Sequence, residues 1–135
     1  MGYKIEEIEG IGPANAKKLA AADISTTAGL LKLCCDAKGR KVTAEKTGAS
    51  EGQLLKWANM ADLMRISGVG SEYSELLEAA GVDTVKELRN RNAANLAAKM
   101  AEVNATKKLT RTVPSEKVVS KWVAQAGALD PLITH

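Results

Sequence analysis

Apolar residues in this chain come in short blocks, and β-branched runs with period-two alternation are absent. The pattern predicts helices and no sheet. In the first half helices are predicted near 3–8, 13–22, 26–37, 40–47 and 51–60. In the second half they fall near 61–66, 71–80, 84–91, 93–103 and 115–126. Pro13 suits the first turn of a helix, where its missing N–H is not needed. Ser25, Thr26, Ser50, Asp83 and Ser115 are N-cap candidates. Gly48 and Gly81 are candidate helix ends. The fold class expected is all-α, with about ten short helices in one compact unit.

The blocks repeat. Ile8-Glu9-Gly10-Ile11-Gly12-Pro13 has a counterpart in Ile66-Ser67-Gly68-Val69-Gly70-Ser71, at an offset of 58 residues. At the same offset Leu19 falls on Leu77, Ala21-Ala22 on Ala79-Ala80, Ile24 on Val82, Thr26 on Thr84 and Leu30 on Leu88. Further along, Ser50-Glu51 and Lys56-Trp57 match Ser115-Glu116 and Lys121-Trp122 at an offset of 65. The extra residues are placed around 104–114. The chain therefore divides into a first repeat over 3–60, a second over 61–129 and a tail over 130–135.

The spacing apolar–x–Gly–apolar–Gly, with a leucine seven residues later, resembles the helix-hairpin-helix motif. Ile8-Glu9-Gly10-Ile11-Gly12 with Leu19 carries it once, and Ile66-Ser67-Gly68-Val69-Gly70 with Leu77 carries it again. The resemblance covers 5–31 and 63–89. The larger arrangement is similar to small bacterial proteins of a domain-of-unknown-function family. In the motif a tight glycine turn joins two helices, because glycine reaches backbone conformations closed to other residues. Ile11 and Val69 are expected to point into the core and hold the turn. The resemblance implies sequence-independent contact with the DNA backbone, a tandem pair gripping both strands across the minor groove.

The physical basis is the helix N-terminus behind each turn. Its N–H groups lack partners and the macrodipole is positive there. The expected nucleic-acid-binding residues are Gly10, Ile11, Gly12, Asn15, Lys17 and Lys18 in the first repeat. In the second they are Arg65, Gly68, Val69, Gly70 and Ser71. The surroundings are mixed, since Glu6, Glu7 and Glu9 precede the first turn and Glu72, Glu75 and Glu78 follow the second. Glu72 would meet a phosphate directly, so the first turn is the better anion candidate. The alternative is a protein–protein interaction or scaffold module that has lost DNA contact.

A second element lies in Arg40–Trp57. Ala44, Gly48, Ser50, Leu54 and Trp57 loosely resemble a helix-turn-helix, with Glu51, Gly52, Gln53 and Lys56 on the exposed face and Arg40, Lys41 and Lys46 near phosphates. The simpler expectation is an ordinary helix corner, capped by Ser50, with Leu54, Leu55 and Trp57 in the core. Lys38-Arg40-Lys41, Arg89-Arg91 and Lys107-Lys108-Arg111 form either a basic stripe or solvated faces. Trp57 and Trp122 recur at equivalent apolar positions and are expected in the core. Tyr3 and Tyr73 are candidates for exposed stacking.

Composition narrows the chemistry. There are 135 residues with no Phe and 3% aromatics, so the core must be built from Leu, Val, Ile, Met and Ala. The net charge of +3 permits nucleic-acid contact without arguing strongly for it. Cys34 and Cys35 are adjacent, do not suit a mutual disulfide, and read as small helix residues in a reducing cytoplasm. The single histidine, His135, is the last residue, so no zinc site and no His-based triad is expected. The start of the chain has no apolar signal-peptide region, and no stretch approaches a membrane span. Asp23 and Asp83 follow the turns too closely for the catalytic aspartate of a base-excising enzyme. The expectation is a non-enzymatic protein, without cofactor or small-molecule substrate, whose partner is DNA or another protein.

Overall fold

The computed structural model describes residues 3–134; His135 lies outside the described residues. The described residues form eight α-helices: α1 Gly12–Ala20, α2 Thr27–Cys34, α3 Ala37–Thr47, α4 Glu51–Leu63, α5 Ser71–Ala79, α6 Val85–Leu88, α7 Ala93–Lys107 and α8 Glu116–Ala128. A 3-10 helix at Ile5–Glu7 precedes them. Among the described residues the only strand-like pairing is one isolated bridge, Lys4 with Thr26. The all-α expectation holds. The count of about ten does not, because the segments expected at 51–60 and 61–66 give one helix ending at Leu63. No glycine, proline or capping serine stands between Met60 and Leu63 to stop it.

Side-chain caps set the helix starts. Thr26, Thr84 and Ser115 accept hydrogen bonds from the backbone N–H groups of Gly29 at 3.0 Å, Glu87 at 3.3 Å and Val118 at 3.2 Å. Ser50 accepts from Gln53 N–H at 3.0 Å, and the Gln53 side chain accepts the Ser50 N–H at 3.2 Å, which closes a capping box. Thr84 therefore takes the role expected of Asp83. Asp36 and Asn92 are caps that the hydrophobic pattern did not point to.

The chain divides into two compact units, one reaching Asp62 and including the segment from Leu132, the other Leu63–Pro131. In the first unit Ile5, Ile8, Ile11, Leu19, Ile24, Leu30 and Leu54 are fully buried. The segment expected as a tail joins this unit. Thr134 N–H donates to the Cys35 carbonyl at 2.8 Å, and the Arg40 guanidinium donates to the Thr134 carbonyl at 2.8 Å and the Cys34 carbonyl at 3.0 Å. Arg40 is thus buried, not a phosphate contact, and it removes the middle of the Lys38-Arg40-Lys41 group from the surface. The two carbonyls take one donor from each terminal nitrogen of the buried guanidinium.

The second unit is built around Leu63, Ile66, Val69, Leu76, Leu77, Val82, Leu96, Met100, Val119 and Trp122. The insertion expected around 104–114 is a longer α7 and a clamped loop. Asn104 is buried, donates to the Thr110 carbonyl and accepts the Thr110 N–H, both at 3.0 Å. Both tryptophans are core residues, as expected.

Two features of the first unit generate predictions. A Cβ on Gly39 would run into the Leu33 carbonyl oxygen, so α3 starts close under the end of α2 only because residue 39 has no side chain. Gly39→Ala should lower stability by about 1–3 kcal/mol, read as a lower urea midpoint at unchanged slope. An unchanged midpoint would mean that the corner relaxes freely. Burial pushes the Cys34 thiol above its ordinary 9.0, against the opposing pull of a Thr43 hydrogen bond and the Arg40 charge. The folded state therefore holds this thiol neutral. The contribution is fully present below the unfolded value and is lost as pH rises from there through the raised folded value. Wild type should lose more stability than Cys34→Ala between neutral pH and the alkaline range, and parallel pH profiles would refute this.

Candidate nucleic-acid interface at the glycine turns

The two glycine turns share a set of backbone hydrogen bonds. Ile8 N–H donates to Ile5 O at 3.2 Å and Ile11 N–H to Ile8 O at 3.2 Å. At the same offset of 58, Ile66 N–H donates to Leu63 O at 3.1 Å and Val69 N–H to Ile66 O at 3.0 Å. After the following helix, Ile24 N–H reaches Leu19 O at 3.1 Å, and Val82 N–H reaches Leu77 O at 2.9 Å. Gly10 and Gly68 take φ of 89° and 94°, values that an L side chain reaches only with strain. Asp23 and Gly81 take positive φ at the corresponding later turns.

The bonds decide which amides face outward. Ile11 and Val69 are buried and spend their N–H groups closing the turns, so neither amide is available to a phosphate. Among the described residues the amides of Gly10, Gly12, Gly68 and Gly70 make no turn or loop hydrogen bond. Those four remain from the expected set.

The turns then diverge. In the first, nothing lies within 4 Å of where a Cβ on Gly10 or Gly12 would sit. The Asn15 side chain donates to the Gly10 carbonyl at 3.4 Å, bracing the turn from α1. The first turn of α1 carries no acidic residue, and Lys17 and Lys18 are exposed in its last turn. Lys17 lies near the start of α1 only through the reach of its side chain.

The second turn is fastened to α8. A Cβ on Gly68 would lie 3.3 Å from Trp122 Nε1. Gln125 accepts the Ser67 N–H at 3.0 Å and donates to the Ser67 carbonyl at 3.5 Å. Arg65, expected at a phosphate, donates to the Asp130 carbonyl at 3.0 Å. Ser71 opens α5 beside the exposed Glu72, and its carbonyl accepts the Ser74 hydroxyl at 2.9 Å. Tyr73 is not a free stacking platform. Its ring lies 5.2 Å from that of Trp122, and its hydroxyl donates to Thr112 O at 3.1 Å.

The expected site residues therefore fall into two groups, one per unit. Gly10, Gly12, Asn15, Lys17 and Lys18 form an open turn with an exposed basic helix behind it. Arg65, Gly68, Val69, Gly70 and Ser71 form a turn held from behind. Gln125 and Trp122 were not expected there. The signal for Gln125 was its place opposite Met60 at the offset of 65, a polar side chain where the first repeat has an apolar one.

The remaining candidates resolve individually. The helix corner at Gly48 has its glycine at φ 79°, with Leu54 and Trp57 buried beyond Ser50 and Glu51, Gly52, Gln53 and Lys56 exposed. Arg91 is paired with Glu87 at 2.7 Å and with the Gly81 carbonyl at 2.9 Å, so it adds little to a basic stripe. Among the described residues no group of three or more His, Cys, Asp or Glu stands ready to hold a metal. No helix among them is long and apolar enough to cross a membrane.

The difference between the turns is measurable. Gly10→Ala meets only backbone strain, about 1–2 kcal/mol. Gly68→Ala meets the same strain and also the indole edge of Trp122, so it should cost more. Urea unfolding of the two variants compares them directly, and equal losses would show that Trp122 yields without penalty.

The chain matches the family described as Domain of unknown function (DUF4332) over residues 9–129, a span that takes in both glycine turns and all eight α-helices. No curated protein and no solved structure matches it. This chain belongs to the Domain of unknown function (DUF4332) family.

Proposed function

We propose that the protein contacts the phosphate backbone of DNA without reading sequence, and that the first glycine turn carries the contact. The two turns, with hydrogen bonds that recur at one offset, support reading the chain as a duplicated helix-hairpin-helix protein. The observation that carries the functional reading is the open first turn. The amides of Gly10 and Gly12 are unspent, nothing lies within 4 Å of where a Cβ at either glycine would sit, and the first turn of α1 has no carboxylate. An anion placed there meets two N–H groups and a positive helix end. Lys17 and Lys18 extend the favourable field along α1. Backbone amides and lysines position a protein on DNA but carry no base information.

The second turn takes a different role in this reading. Glu72 on the first turn of α5 opposes an anion, and Arg65 is engaged by the Asp130 carbonyl. It serves the second unit as a packing element.

Fluorescence anisotropy against labelled duplex DNA over a salt series tests the proposal. Each phosphate contact adds about 0.9 to the slope of log K against log salt. Replacing Lys17 and Lys18 together by Glu should weaken binding and reduce the slope by about two contacts' worth. Both side chains are exposed, so the fold is preserved. Absence of binding at low salt, or a slope unmoved by the double change, would overturn the proposal.

A further inference from the structure

A second surface lies in the first unit, between the end of α2 and the exposed side of α3. It is a cleft of about 310 Å³ lined by Lys32, Leu33, Asp36, Lys38, Val42 and Lys46, with Thr43 at its floor. Lys38, Val42 and Lys46 are spaced four residues apart and so form one stripe along α3. Lys32 and Leu33 face them from the last turns of α2. Leu33 and Val42 are 41% and 44% exposed, large values for apolar side chains that share one concavity. The missing Cβ of Gly39 lets the two helices meet closely beneath them. Among the described residues none of the three lysine ammonium groups is paired with a carboxylate. Asp36 is occupied as the cap of α3, accepting the Gly39 N–H at 2.7 Å.

We propose that this cleft docks an acidic amphipathic helix of a partner protein, with one apolar side chain seated between Leu33 and Val42 and carboxylates on either side at Lys38 and Lys46. The charge of the rim sets the sign of the partner. Exposed ion pairs contribute little by themselves, so the apolar anchor supplies affinity and the lysines supply orientation. The spacing sets the pattern. Eight residues of α3 separate the two lysines by about 12 Å, which is about two turns of a facing helix. The fitting sequence is therefore Glu four residues before and four residues after a leucine. A phosphate backbone fits less well, because it leaves Leu33 and Val42 without an apolar partner. This inference is independent of DNA contact at the first glycine turn and concerns a different face.

The probe is a labelled helix-forming peptide carrying Glu-x-x-x-Leu-x-x-x-Glu, titrated with the intact protein and read by anisotropy. A peptide with the same glutamates and Ser in place of Leu is the control. The leucine peptide should bind at least about tenfold more tightly than the control. Leu33→Ser with Val42→Ser should remove that advantage. Lys38→Glu should weaken the leucine peptide several-fold, and Lys99→Glu, exposed on α7, should leave it unchanged. Excess duplex DNA should not displace the peptide. Circular dichroism and urea midpoints confirm that each variant is folded, and Lys38→Glu, a wholly exposed change, keeps the test valid if the double serine variant unfolds. Equal binding of the two peptides, indifference to Lys38→Glu, or displacement by DNA would each overturn the proposal.

Discussion

The hydrogen bond from the residue between two glycines back to the apolar residue three positions earlier holds each turn closed. It links Ile11 to Ile8 and Val69 to Ile66. The bond forms only if the intervening Gly10 or Gly68 takes a positive φ, and it persists because the donor's side chain is buried in the core. Backbone and packing thus reinforce each other at one point. The next helix leaves the turn in a fixed direction, which places Leu19 or Leu77 in the core and lets its carbonyl receive Ile24 or Val82. Removing the buried side chain would open the turn, and removing the glycine would strain it.

The same closure limits what the turn can offer to a ligand. The central amide is consumed and only the glycine amides remain outward. A surface reading counts three donors per turn, whereas the hydrogen bonds leave two. What surrounds those two then separates the turns. Around Gly10 and Gly12 there is open space and a helix without an early carboxylate. Around Gly68 there is an indole edge, and Gln125 holds the adjoining Ser67 at both its N–H and its carbonyl. A turn gripped by a glutamine on the helix behind it is a structural joint, whatever motif its sequence resembles.

Much of the fold was legible in the residues. The offset of 58 located both turns, and capping residues located most helix starts. The errors have physical causes. The junction at 60–62 was read as a break because the repeat suggested one, yet no residue there can end a helix. Arg40 sits in a run of charged residues and has no sequence mark of burial. Its two partners are carbonyls, one of them 94 residues away, and backbone acceptors leave no trace in composition. Arg65 likewise spends one guanidinium N–H on a backbone carbonyl, that of Asp130, which the sequence does not mark. Cations bound to carbonyls look identical in sequence to cations in solvent.

That blindness bears on the whole basic surface. Once Arg40, Arg65 and Arg91 are bound within the fold, the free positive charge is carried by lysines rather than arginines around the first unit's turn and cleft. Arginine forks are the side chains suited to paired recognition of phosphate, and Arg40, Arg65 and Arg91 spend theirs on backbone carbonyls. Lysines act as point charges, adequate for orientation and weak in specificity. At the first turn what accompanies the charge is a pair of open amides. In the α2–α3 cleft it is an apolar pair, Leu33 and Val42, that no lysine can replace. The two faces are both basic and differ in what accompanies the charge: unspent amides at the first turn, an exposed apolar pair in the cleft.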